Sequence, residues 1–123
     1  MSTKVLNSDR KFQVWRYTVG HSQLLLRSTK SANCSTRIDV LFKGVSEFHL
    51  PASFVGLSIT DASDSEVRIL CTLRKTPSFE KDVKVFKLQG EDFLGYVAAS
   101  AVFCHEDEGE YYDPSFFAKN NIL

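Results

Sequence analysis

Phe93-Leu94-Gly95-Tyr96-Val97-Ala98-Ala99-Ser100-Ala101-Val102-Phe103-Cys104 is apolar on both faces and decides how the chain is read. A run of this kind is either a central strand or a buried helix, and periodicity alone does not separate the two. Gly95, Tyr96, Val97, Val102 and Phe103 favour a strand. The small residues at its centre, 98–101, leave room for a bulky neighbour to pack close.

Working outward, the neighbouring segments carry strand signatures. Arg37-Ile38-Asp39-Val40-Leu41-Phe42-Lys43 alternates, turning Ile38, Val40 and Phe42 inward and Arg37, Asp39 and Lys43 outward. Val67, Ile69, Cys71 and Leu73 alternate against Arg68, Thr72 and Arg74 and predict a further strand. Residues 12–19 and 23–28, broken by Gly20-His21-Ser22, predict a hairpin. Residues 45–50, 54–59 and 83–88 predict short strands, with Gly56 marking a bulge or close backbone contact and 89–92 a turn. Residues 1–10 read as a loose polar lead-in and 105–113 as an acidic loop. Residues 114–119 read as one helical turn, with Asp113 as its cap and Pro114 at its first position. No long amphipathic helix is expected. The fold class is therefore all-β and mainly antiparallel, a sandwich or partly open barrel of seven to nine strands with one short C-terminal helical turn. All 123 residues belong to a single domain, the 105–123 segment forming an acidic loop and tail.

A chain of this size, 43% hydrophobic, buries a core without a metal or disulfide. Fifteen basic residues balance fifteen acidic ones, which argues against a nucleic-acid binder, since that role needs a positive surplus. The balance is uneven along the chain. Residues 1–43 hold eight basic side chains against two acidic, while 105–123 hold five acidic against one basic. The simpler reading is that the two ends pair in space or are solvated separately; the sharper one is a polar surface that steers a charged partner. Three widely spaced cysteines, Cys34, Cys71 and Cys104, form neither a disulfide framework nor a zinc motif. Residues 1–10 lack the apolar stretch of a signal peptide and no run approaches the ~18 apolar residues of a membrane span, so cytoplasm is the expected compartment. The Asn33-Cys34-Ser35 sequon is then a chance match.

No phosphate-binding, dinucleotide, nucleophile-elbow or zinc-protease motif is present. Cys104-His105 resembles a nucleophile and base, but neighbours on a strand point to opposite faces, so thiol and imidazole do not meet. His21 at a hairpin tip, His49 and His105 are not brought together by any spacing, and four consecutive ligand types at 105–108 lack the spacing of a cation loop. No catalytic, cofactor or metal residue is assigned. Trp15 and Tyr17, near Arg16 and Arg27, echo a base-stacking sheet, but Val19 on the same face points to core. The acidic-aromatic segment is the candidate contact surface. Its Glu106, Asp107, Glu108 and Glu110 suit a basic partner, and Tyr111 and Tyr112 supply contact area at low entropy cost.

Residues 37–45, Leu50-Pro51, Gly56-Leu57-Ser58-Ile59 and Gly95-Tyr96-Val97-Ala98 together resemble small β-rich bacterial proteins of uncharacterised families, some of them polymorphic-toxin immunity proteins. The likeness spans roughly residues 12–104 and rests on strand and turn residues, so it transfers no catalytic or binding residue. It favours binding over catalysis and, together with the acidic segment, leads to a non-enzymatic, immunity-like protein that blocks a basic partner surface. The alternative is a small-ligand-binding β-barrel or an enzyme with an internal cavity. Edge strands also allow a homodimer.

Overall fold

A computed structural model describes residues 4–119. Eight strands form one antiparallel sheet: β1 (Lys4–Thr18), β2 (Gln23–Ser28), β3 (Arg37–Lys43), β4 (Glu47–His49), β5 (Ser53–Asp61), β6 (Lys84–Gln89), β7 (Leu94–Ala99) and β8 (Ala101–Asp107), in the order β4-β7-β6-β5-β1-β2-β3-β8. The expected all-β class is found. The polar residues 4–10, expected to be a loose lead-in, instead open β1. That strand pairs with β5 along its first part and with β2 along its second, and so joins the two halves of the sheet.

The apolar run at 93–104 is two strands meeting at Ser100. β3 bends likewise through Gly44 into β4. Because β3 pairs with β8 and β4 with β7, the same two bent segments stand at both ends of the sheet. The ladder continues across the bend, where Ser100 N–H donates to the Lys43 carbonyl and Ser46 N–H to that of Ala98, both at 2.9 Å. The sheet thus curls back on itself as a partly closed barrel, its corner made by bent strands. Gly44 makes the bend possible. Its φ is +64°, and a Cβ there would lie 2.2 Å from Ser100 Oγ.

Alternation then fills the interior. Phe12, Leu24, Leu26, Val40, Phe42, Leu57, Ile59, Phe86, Leu88 and Val97 form one buried cluster drawn from both halves of the sheet. The barrel is packed with side chains rather than hollow.

The sequence-predicted strand at 67–73 is a helix, α1 (Asp64–Arg74). Ser63 and Glu66 form a capping box, with Glu66 N–H donating to Ser63 Oγ at 3.2 Å and Ser63 N–H to Glu66 Oε1 at 2.9 Å. The backbone hydrogen bond from Ser63, with Lys87 nearby, keeps the Glu66 carboxyl below its ordinary range. Leu70 and Cys71 are buried, whereas Ile69 and Leu73, which alternation sets on one strand face with Cys71, are exposed. Ion pairs from Glu66 to Lys87 and from Arg74 to Glu47 fasten the two ends of the helix to β6 and β4. Gly56 (φ +81°) lies against the Gly90-Glu91 turn, the close contact its sequence position suggested. Among the described residues, no helix is long and apolar enough to cross a membrane.

Gly44→Ala should cost about 2 kcal/mol or more through left-handed strain and the clash with Ser100. Gly20→Ala, where nothing lies within 4 Å of the added carbon, should stay within about 0.5 kcal/mol. Urea unfolding of both variants measures the contrast.

Candidate functional site

The outward face of β2 and β3 is covered, which strand alternation does not reveal. Every residue of β2 is buried, as is every residue of β3 except Lys43. The cover is the segment after β8, residues 108–119, which ends in α2 (Phe116–Lys119). Cross-strand register sets Leu25, Leu41 and Phe103 in one row on this face. Phe117, 2% exposed, packs with Leu25 and Leu41, and Trp15 and Phe116 lie against the same cluster. The helical turn starts later than expected. Ser115 takes the capping role given to Asp113, its Oγ accepting from Phe117 N–H at 3.2 Å.

Two buried arginines fasten this strap. Arg37 is 1% exposed. Its Nη1 donates to the carbonyls of Glu110 (2.9 Å) and Asp113 (2.8 Å), and its Nη2 donates to that of Pro114 (3.1 Å). Its remaining edge meets Asp107, the cross-strand partner on β8, at 3.3 Å. Arg27 holds its own cross-strand partner Asp39 through two bonds of 2.7 and 3.0 Å, and donates to the Tyr111 carbonyl at 3.1 Å. Gly109 lets the strap approach, since a Cβ there would lie 2.5 Å from the Arg37 guanidinium carbon. Stranding one member of a buried pair costs roughly 3–5 kcal/mol, whereas an exposed pair contributes about 0–1 kcal/mol. The buried arginines therefore hold the strap, and the exposed Lys30–Glu110 pair (2.9 Å) adds little.

The sequence-predicted contact residues divide accordingly. The basic residues 1–43 and the acidic residues 105–123 do pair. Asp107 bonds Arg37, and Glu106 accepts from Thr36 Oγ1 at 2.5 Å and lies 3.8 Å from Arg10. Glu110 faces Lys30. Glu108 is exposed. His105, Glu106 and Asp107 belong to β8 rather than to a loop. Tyr111 is 42% exposed and Tyr112 84% exposed. Their rings meet edge to face at 4.5 Å, and Trp15 lies 5.0 Å from Tyr111 and 6.0 Å from Tyr112.

Trp15 was not legible as a member of this group. A bulge between Val14 and Arg16 breaks the alternation, so Trp15 faces the strap while Tyr17 pairs with Leu24 and meets the Phe48 ring at 5.4 Å, inclined by 48°. The core reading based on Val19 fails, since that residue is 79% exposed.

Cys104 and His105 fall on opposite faces, opposite Val40 and Asp39 respectively. Desolvation pushes the Cys104 thiol up, away from a nucleophile's range. His105 stacks on Phe116 at 3.7 Å and His49 bonds Glu47 at 2.8 Å. No cluster of three metal-ligand side chains occurs among the described residues. Compared with known proteins, the chain matches no protein-family model, no curated protein and no solved structure.

Arg37→Lys should lower stability by about 2 kcal/mol or more, because one ammonium cannot span Asp107 and three carbonyls. Lys30→Ala should change it by less than about 0.5 kcal/mol. Urea unfolding followed through Trp15, the only tryptophan, reads both.

Burial raises the pKa of Asp107, but the Gly109 amide, Arg37 and His105 outweigh it and leave the carboxyl below its ordinary value. A depressed folded-state pKa contributes stability that is present above the unfolded value, near 3.8, and lost as pH falls through the folded one. Asp107→Asn should therefore be less stable than wild type at neutral pH, and the gap should close as the solution is acidified below about pH 4. Paired denaturation curves across that range check the sign.

Proposed function

We propose that the chain is a non-enzymatic protein-binding module that covers a basic surface on a partner protein in the cytoplasm, as an immunity protein does. One observation carries this reading: two tyrosines stand exposed on a strap that buried arginines fix to the sheet. Large aromatic side chains left in water on a rigid support make contact area whose ordering is already complete. Glu108, Glu110 and Asp113, all exposed beside them, give the surface its sign and favour encounter with a basic partner. The packed interior adds support, since it leaves the outer faces to act.

Within this reading the six acidic and aromatic residues divide by the bonds they already make. Asp107 is bonded to the buried Arg37 and Glu106 to Thr36, so we assign the contact to Glu108, Tyr111 and Tyr112, with Glu110 joining it from its exposed pair with Lys30. The protein used as bait in native lysate should retain a basic partner, with retention falling as salt rises. Glu108→Gln combined with Glu110→Gln, and Tyr112→Ala alone, should each weaken capture about tenfold or more. Capture unchanged in both variants means the interface lies elsewhere.

A further inference from the structure

Between β1, β2 and the strap lies a depression of about 180 Å³, lined in part by Trp15, Arg16, Arg27, Tyr112, Asp113 and Pro114. It is smaller than a small-molecule site, which typically occupies about 300–1,000 Å³, and matches the scale of one inserted side chain. Its walls include two aromatic rings, Trp15 and Tyr112, with centroids 6.0 Å apart and planes inclined by 44°. Asp113, an exposed residue of its wall, is its acidic member, with one carboxylate oxygen accepting from Glu110 N–H at 2.9 Å. Aromatic faces beside a carboxylate attract a cation.

The protein already uses this chemistry on the same indole, since the Arg27 guanidinium lies 4.8 Å from the centre of the Trp15 ring. Arg27 is matched by Asp39 at 2.7 Å, so the pair presents little net charge to an incoming group. Arg16 opposes a second cation, but Asp113 on the pocket wall and Glu108 on the same strap outnumber it, Glu110 being matched by Lys30 at 2.9 Å.

We propose that this depression is an anchor pocket for an arginine side chain projecting from the partner. The guanidinium stacks against Trp15 and Tyr112, and its donors face Asp113. A planar guanidinium suits ring faces better than a compact ammonium does. The proposal rests on the reading of a basic protein partner and names the group that partner inserts.

The full chain is titrated with acetyl-Gly-Arg-Gly-amide while the emission of Trp15 is followed, the signal being specific because the chain has one tryptophan. The same peptide with citrulline, a neutral isostere of arginine, is the control. A saturable emission change is expected with the arginine peptide, and binding about tenfold weaker with the citrulline peptide. Tyr112→Ala and Asp113→Asn should each weaken the arginine titration by a similar factor. Both variants should keep the fold. Tyr112 is 84% exposed, and asparagine retains an oxygen to accept the Glu110 amide that Asp113 now binds at 2.9 Å. No saturable change, equal response to the two peptides, or titrations unaltered in both variants would overturn the pocket. A failed titration with partner capture still governed by Glu108 and Glu110 removes the anchor and leaves the interface standing; capture that ignores those charges removes the interface itself.

Discussion

The guanidinium of Arg37 is the constraint on which the rest of the outer surface depends. It is buried on a strand, and water no longer satisfies its donors, so protein groups must do so. They are supplied by Asp107 on the adjacent strand and by three backbone carbonyls of the strap. One side chain thereby fixes the path of a segment more than seventy residues away in sequence. Arg27 repeats the arrangement with Asp39 and the Tyr111 carbonyl. An isolated arginine under a sheet cover would be costly. Here Asp107 balances the charge and both terminal nitrogens are bonded, while Nε, 3.3 Å from Asp107 Oδ1, makes no hydrogen bond; the cover also buries Leu25, Leu41 and Phe117.

That economy links packing to function. The strap's inner side is spent on holding itself in place, through Phe117, Ser115 and the carbonyls bound by arginine. Its outer side is left with Tyr111, Tyr112, Glu108, Glu110 and Asp113. Such residues on a free tail would pay ordering entropy when they bind, whereas on a pinned strap most of that loss has already occurred in folding. The barrel contributes indirectly. Its interior is filled from both halves of the sheet, and the bend at Gly44 and Ser100 brings β8 to the place from which the strap departs.

Much of this was legible in the sequence, because alternation is a local signal. Residues 37–43 and the 12–28 hairpin form strands as their patterns indicate, whereas 93–104, which reads as one strand with room for a bulky neighbour at 98–101, bends at Ser100 into β7 and β8. Where the reading failed, the deciding partner was distant or the period was misjudged. Arg37 and Asp39 do point outward, yet both are buried, since nothing near residue 37 announces a cover from residues 108–119. The acidic segment was visible as composition, but its division into structural and exposed carboxylates depends on Arg10, Lys30 and Arg37. Trp15 was misplaced by a single bulge. The helix at 64–74 was the avoidable error. Val67, Ile69, Cys71 and Leu73 alternate by chance, while Ser63-Asp64-Ser65-Glu66 carries a capping-box signature and Val67, Leu70 and Cys71 recur at helical spacing.

Amide hydrogen exchange across the strap examines the pinning most directly. The amides of Gly109, Glu110, Asp113, Phe117 and Ala118 are all bonded within the segment or to Asp107. If buried arginines fix the strap, these amides exchange slowly and open in the same cooperative unit as β2 and β3. Exchange at the rate of an unstructured tail, with β2 and β3 still protected, would mean that the strap is not held and that its aromatic surface is not preformed.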